Sequence, residues 1–492
     1  MGVSPCLGKK RPGPAPRLAS LKGILYMNRT QLMGAASAAA LACLSTTSFA
    51  ATGSNPQSPA FVQGGGSTLA YYDYLSEFSA FNAGKASSVY SFGTYLSGVG
   101  SGTGQQGLIQ DDYSCDTTKS ITGTATCSGY APGTSNTVDY GASDAVLTTG
   151  SGSQISSWAT SSVGQALSGN LIQLPALGVG VGIVVNNSAI TTNGQLALTV
   201  NDVCAVFSGL YTDFSQITDT TVKPTPGKIT VTYRSDSSGT SFLMTNFLAS
   251  QCNSTDTAAG VTFVATTKFA TLFKTLPSNF NAGESGGGAV ANFMGCSGTT
   301  GDAPPSSAIT YSSPDYTSLI TTSQASVCGS APGKSPLIVA SVYPESVTST
   351  PTKVKPVLPT EVYVAQALTH VTAGTNTTPP SNATEGANPS LWVPVISAVS
   401  AGYPISGYTT LDFAQCYADP KVATAIIDFL TDHYGVAAYE TIQKDNGFVP
   451  IANTKSAAFA TTIKTRILKN STVGGAWNTN INNTTVCAGI GR

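Results

Sequence analysis

Lys228-Ile229-Thr230-Val231-Thr232-Tyr233-Arg234-Ser235-Asp236-Ser237-Ser238-Gly239-Thr240-Ser241 is the most informative run in the chain. Its first six residues alternate in the manner of a strand. Small polar residues follow, around one arginine and one aspartate, and Phe242 to Leu248 continue as a helix. A helix that starts after such a turn presents unpaired backbone N–H groups and the positive end of its dipole. Small residues let an anion approach that backbone. Arg234 adds a planar fork suited to an oxyanion.

Two further turns share this build. Gly65-Gly66-Ser67-Thr68-Leu69 follows a short strand at 60–63. It precedes a helix with Tyr71, Leu75, Phe78 and Phe81 at helical spacing and Gly84 as its stop. Gly100-Ser101-Gly102 follows a strand over 89–92. Any one of the three reads equally as a helix cap or a solvated loop; three with an arginine point to a shared anion. Tyr140-Gly141-Ala142-Ser143-Asp144 adds a carboxylate. It would repel an ordinary anion but accept a hydrogen bond from a protonated oxyanion, which disfavours sulfate, an anion without a proton at neutral pH. The alternative for Asp144 is a helix N-cap before Ala145-Val146-Leu147.

These four motifs, in this order, resemble the periplasmic phosphate-binding proteins of bacterial ABC phosphate importers. Gly64-Gly65-Gly66 with Gly447-Phe448-Val449-Pro450 resembles the secreted DING group of the same kind. The resemblance covers most of residues 60–460. It implies a type II, venus-flytrap fold: two α/β lobes around an interlobe ligand cleft, lobe one being 51–175 plus 401–492 and lobe two 176–400, with crossings near Leu174–Gly178 and Ala398–Pro404. It implies phosphate contacts at Thr68, Leu69, Ser101, Asp144, Arg234, Ser238, Gly239 and Thr240, with Asp236 holding Arg234 by a salt link. It also implies arsenate as a mimic, an inner-membrane ABC permease as partner, a monomer, and no cofactor, metal or catalytic group. Asp202 to Gly209 look like the family's helix before a Trp-containing turn, with Phe214 standing in the Trp position.

The rest of the chain is compatible with that reading. Six basic residues and no acid precede Ala50, and residues 31–49 are small and apolar. This is a signal-peptide pattern with cleavage after Ala50 and a natural start near Met27, so the protein is expected in the periplasm or outside the cell. Ala40-Leu41-Ala42-Cys43 is a weak lipobox. Removing 6 of the 23 Lys and Arg leaves 17 against 24 Asp and Glu, a net −7 that argues against nucleic acid. Only 10% of residues are charged, against an ordinary ~25%.

Eight cysteines follow the leader, an even number that reads as disulfides. Short loops favour the pairs 115–127, 204–252, 296–328 and 416–487. Residues 105–138 read as a clipped loop, 345–391 as a surface excursion, and Asp419-Pro420 as the start of a helix ending at Gly435. Pro175 reads as a chain crossing.

Rival classes are thinner. Gly283-Glu284-Ser285-Gly286-Gly287 matches the serine-hydrolase elbow, but Pro277 to Asn281 before it read as a loop rather than the required strand. His370 and His433 are the only histidines and read as surface or packing residues. No complete Gly-x-x-x-x-Gly-Lys-Ser/Thr nucleotide-binding loop is present, because Gly333-Lys334-Ser335 has Cys328 where the first glycine is required. An extracellular adhesive protein on the same fold is the other alternative.

Overall fold

The computed structural model describes residues 60–85, 90–96, 100–111, 138–217, 222–281, 285–296, 306–317, 328, 335–344, 355–454, 456–472 and 474–492. The leader, the Cys115–Cys127 pair and residues 345–354 lie outside them. In chain order the elements used below are β1 (Ala60–Gly66), α1 (Tyr71–Gly84), β2 (Tyr90–Leu96), α2 (Ser101–Gln110), β3 (Tyr140–Ser143), β4 (Leu171–Gly180), β5 (Gly182–Asn187), β6 (Thr230–Thr232), α3 (Gly239–Gln251), β7 (Phe280–Asn281), α4 (Gly287–Phe293), β8 (Ser307–Ser312), β9 (Ile338–Val339), α5 (Glu361–Thr369), β10 (Ser406–Ala414), α6 (Pro420–His433) and β11 (Val449–Pro450).

The architecture is α/β with two principal sheets. The first has the order β11-β4-β10-β3-β1-β2 and the second β9-β5-β8-β6-β7. In the first, β1 runs parallel to β2 and β3, while β10 is antiparallel to β3 and β4. In the second, β6 is parallel to β7 and β8, and β5 is antiparallel to β8 and β9. The chain leaves the first sheet at Gly180 and enters the second at Gly182. There the Val181 N–H donates to the Ile405 carbonyl at 2.9 Å, and the Tyr403 hydroxyl donates to the Val181 carbonyl at 2.9 Å. Outgoing and returning segments are therefore bonded to each other at the point of passage.

Pro175 is no crossing; it lies inside β4, opposite Thr410, beside a register irregularity in β10. Proline offers no ladder N–H. The turned-out carbonyls of Pro175 and Ala176 are taken up from α6, by the Tyr434 hydroxyl at 2.8 Å and His433 Nε2 at 3.0 Å. His433 is buried, not on the surface, and its Nδ1 lies 2.8 Å from Glu77. Burial disfavours the imidazolium, but the Glu77 carboxylate more than offsets it and raises the histidine.

Close backbone packing explains part of the glycine content. A Cβ on Gly104 of α2 would fall 2.4 Å from Gly65 O and 2.9 Å from Ala142 O. Glycine alone lets this helix lie directly on β1 and β3. It also shows that the expected loop from 105 starts too early, since α2 extends to Gln110.

Of the excursion expected over 345–391, the described part, residues 355–391, carries regular structure. Helix α5 packs on β4, where Cβ atoms on Gly178 and Gly180 would strike Leu368 and Val364. Val371–Thr375 pairs with Val395–Val399. Disulfides join Cys204 to Cys252, Cys296 to Cys328 and Cys416 to Cys487. The helix expected from Asp419-Pro420 to a stop at Gly435 is present as Pro420–His433, with Asp419 accepting from the Lys421 N–H.

Candidate anion site

The strand-to-helix turns of both sheets converge. β1 ends at Gly66, and the chain passes through Ser67, Thr68 and Leu69 into α1. β2 leads to Gly100 and α2, which starts at Ser101. β3 ends at Ser143, next to Asp144. From the second sheet, β6 leads through Arg234 to Ser238, which caps α3 by accepting from the Ser241 N–H at 3.2 Å. Gly239 and Thr240 form the buried first turn of α3.

Asp144 is the centre of the first half. It does not cap a helix; the chain bends there and no helix follows before Gln154. Its carboxylate accepts from the Ser67 hydroxyl at 2.6 Å and the Ser101 hydroxyl at 3.2 Å. Only 2% of the residue is exposed. Burial pushes the carboxyl up to about 6, against the lowering effect of Ser67, Ser101 and Arg234. The Ser67 hydroxyl also accepts from the Leu69 N–H at 3.1 Å, so the backbone donor assigned to Leu69 faces Ser67.

Arg234 is the centre of the second half. Its Nε donates to Asp236 Oδ1 at 2.7 Å and its Nη2 to Asp236 Oδ2, a bidentate pair. Burial favours the neutral form of Asp236, yet the guanidinium beside it holds the carboxyl below its usual range. Asp236 Oδ1 also accepts from the Gly286 N–H at 3.0 Å. The Arg234 N–H donates to the Tyr311 hydroxyl at 3.2 Å, and that hydroxyl shares a 2.7 Å hydrogen bond with Ser241. Burial lifts the Tyr311 phenol to about 12, so it stays neutral.

The halves touch through Ser101, whose hydroxyl accepts from the Gly239 N–H of α3 at 3.1 Å. The Gly102 N–H donates to the Ser237 carbonyl at 3.2 Å. A Cβ on Gly239 would stand 2.4 Å from Ser101 Oγ and 2.6 Å from Asp144 Oδ2. Only glycine permits that approach. The geometry thus gathers Leu69, Ser101, Asp144, Arg234 and Gly239 in one bonded or charge-coupled group. Ser238 serves as a cap, and Thr68 is placed half-buried before α1.

Four residues that take part escaped the sequence reading. Ser67 sits within a quoted motif but holds Asp144 rather than a ligand. Tyr311 lies 77 residues from Arg234, on β8, and carries no local signal. Gly286 and Gly287 stand in the run set aside as a false hydrolase motif. Of the segment before it, 277–279 are irregular as expected and Phe280–Asn281 form the short strand β7, and α4 starts at Gly287. The run of three glycines at 286–288 is the signal that could have drawn attention to it.

Residues 46–326 match the model of the PBP superfamily domain. A protein named alkaline phosphatase L, from Pseudomonas aeruginosa strain UCBPP-PA14, is 32% identical over 450 residues, 89% of this chain and 95% of that protein. A solved high-affinity periplasmic phosphate-binding protein with phosphate bound superimposes with a TM-score of 0.64 at 30% identity, covering 88% of this chain and 99% of that one. A phosphate-binding protein from Stenotrophomonas maltophilia gives 0.61 at 28% identity, with the same coverage. On the matched model and the relatives that span nearly its whole length, the chain belongs to the PBP superfamily.

Proposed function

We propose that the chain binds inorganic phosphate, with arsenate as a mimic, between two hinged lobes, and delivers it to an inner-membrane ABC permease from the periplasm or its exterior. The observation that carries this reading is the buried Asp144 carboxylate beside a fixed arginine. A site built for a fully ionised anion gains nothing from that carboxylate. A site for hydrogen phosphate uses it to accept the ligand's proton while Arg234 meets the charge. The lobes divide at Val181 and Ile405, where the two connecting segments are bonded, and closure brings α2 against the turn before α3. The leader at 1–50 is removed on export in this reading, and the mature chain is monomeric.

Calorimetry of the mature protein against phosphate, arsenate and sulfate tests it. Binding of the first two with no heat from sulfate is the expected result; equal binding of all three refutes it. The name carried by the Pseudomonas relative favours a second reading, hydrolysis of phosphate esters. Release of nitrophenol from p-nitrophenyl phosphate by the purified protein, lost in Arg234→Ala, would favour that reading over pure binding.

A further inference from the structure

The site has a wall that neither the motifs nor the superfamily assignment supply. Gly287 is the first residue of α4, buried, in a turn tied to the site because Asp236 holds both Arg234 and the Gly286 N–H. A Cβ on Gly287 would lie close to residues of both halves. It would stand 3.6 Å from Thr68 Oγ1, on the first half, and 3.7 Å from Arg234 Nη1, on the second. It would also come 3.1 Å from Cε2 of Tyr316, tighter than an ordinary carbon contact. The Tyr316 ring therefore backs this glycine. Burial and the nearby Asp315 push its phenol well above the ordinary tyrosine range, so it is a neutral, bulky neighbour of Arg234.

We propose that Gly287, backed by Tyr316, is the specificity-determining wall of the anion site and restricts it to a tetrahedral oxyanion with no ester substituent. The inference rests on the phosphate reading above. Thr68 and Arg234 approach a ligand from opposite halves, and the space a Cβ on Gly287 would fill is within 3.7 Å of a polar atom of each. Its missing side chain leaves room for an oxygen. The Tyr316 ring closes the route by which an alkoxy group would leave. A free phosphate or arsenate fits such a boundary, and a phosphate monoester requires it to move.

The test uses the mature protein, calorimetry and three ligands, phosphate, arsenate and methyl phosphate, with ligand-free melting curves as the control for folding. Wild type should bind phosphate and show at least 100-fold weaker binding of methyl phosphate. Gly287→Ala should weaken phosphate at least tenfold with its melting temperature nearly unchanged, because the new methyl takes space beside Thr68 and Arg234. Tyr316→Ala should raise the affinity for methyl phosphate relative to phosphate at least tenfold. Wild type that binds both ligands alike overturns the wall, as does Gly287→Ala with unaltered phosphate affinity. If Gly287→Ala does not fold, the Tyr316→Ala arm decides, and no gain for methyl phosphate overturns the proposal. Wild type that binds neither phosphate nor arsenate overturns the phosphate reading and the wall together, which separates that failure from the others.

Discussion

Asp144 and Asp236 stand on opposite halves of one site, each at the end of a strand and each in a Ser- and Gly-rich turn. Asp236 is chelated by a guanidinium and is held below the ordinary carboxylate range. Asp144 is held by two neutral hydroxyls, and burial lifts it to about 6. Residue type and turn chemistry are thus nearly the same, while the charge state near neutrality is set by the nearest partner. The pair with a cation fixes the shape of the site. The one without tests whether the incoming anion carries a proton.

The largest expected effect comes from removing the shaping carboxylate. Asp236→Ala leaves Arg234, which is 4% exposed, without its bidentate partner and releases the Gly286 turn. Breaking a buried pair from one side costs about 3 kcal/mol or more. Phosphate affinity should fall by more than 100-fold on titration calorimetry. A loss below tenfold would place the organising contact elsewhere. Arg234→Lys is expected next, at ~2 kcal/mol, because it keeps the charge and forfeits the fork to Asp236 and to the ligand. Unchanged phosphate affinity would remove Arg234 from the site.

Asp144 should behave differently in kind. Asp144→Asn removes a like charge that an incoming sulfate must meet and supplies an N–H donor. Sulfate affinity should rise tenfold or more, within the several kcal/mol a like-charge juxtaposition can cost, while phosphate changes modestly. The wild type offers the same test by titration. Its carboxyl protonates as pH falls through about 6, so sulfate binding should appear below that pH and be absent at pH 8. An Asn variant that still rejects sulfate, or a wild type whose sulfate affinity is flat between pH 5 and 8, would break the contrast between the two carboxylates.

The contrast also marks how far the sequence could be read. Arg234 and Asp236 are two residues apart, so their pairing is a local property, legible from the turn itself. The α/β class follows from patterns equally local, whereas the three disulfides span 32 to 71 residues and were reached only through the expectation that neighbouring cysteines pair. Asp144 meets Ser67 and Ser101 across 77 and 43 residues. Its carboxylate was visible as a chemical requirement of the ligand, but not its hydroxyl partners. Tyr311 and Gly287 are placed only by the packing of β8 and α4 against the arginine. The stretch 355–391 misled because its Pro, Thr and Asn content resembles a loop. What decides there is the fit of Val364 and Leu368 onto two glycines of β4, which no composition records.

A third carboxylate sharpens the comparison at the smallest scale. Asp412 lies on β10, paired across from Gly141 of the strand that ends next to Asp144. It is fully buried, and its Oδ1 accepts from Gln173 Nε2 at 2.9 Å. Burial pushes it up to about 7, against hydrogen bonds from Gln173, Gln105 and Thr410. An ordinary aspartate titrates near ~3.9, so the folded value is raised. Between about pH 4 and 7 the native state holds a proton that the unfolded chain has released. The stabilisation from this group is therefore complete below about pH 4 and lost as pH rises to 7. Asp412→Asn stays neutral throughout and should remove that slope. Relative to wild type, the variant should gain ~1 kcal/mol or more between pH 4 and pH 8, since each pH unit in the window is worth at most ~1.4 kcal/mol. Urea unfolding at the two pH values measures the gap, and a constant gap would show that Asp412 does not titrate there. Phosphate affinity should be unaffected, because Asp412 faces Gln173 and not the arginine. A burial-raised carboxylate is then a cost to the fold where no ligand reads it, and a selectivity device at Asp144, where one does.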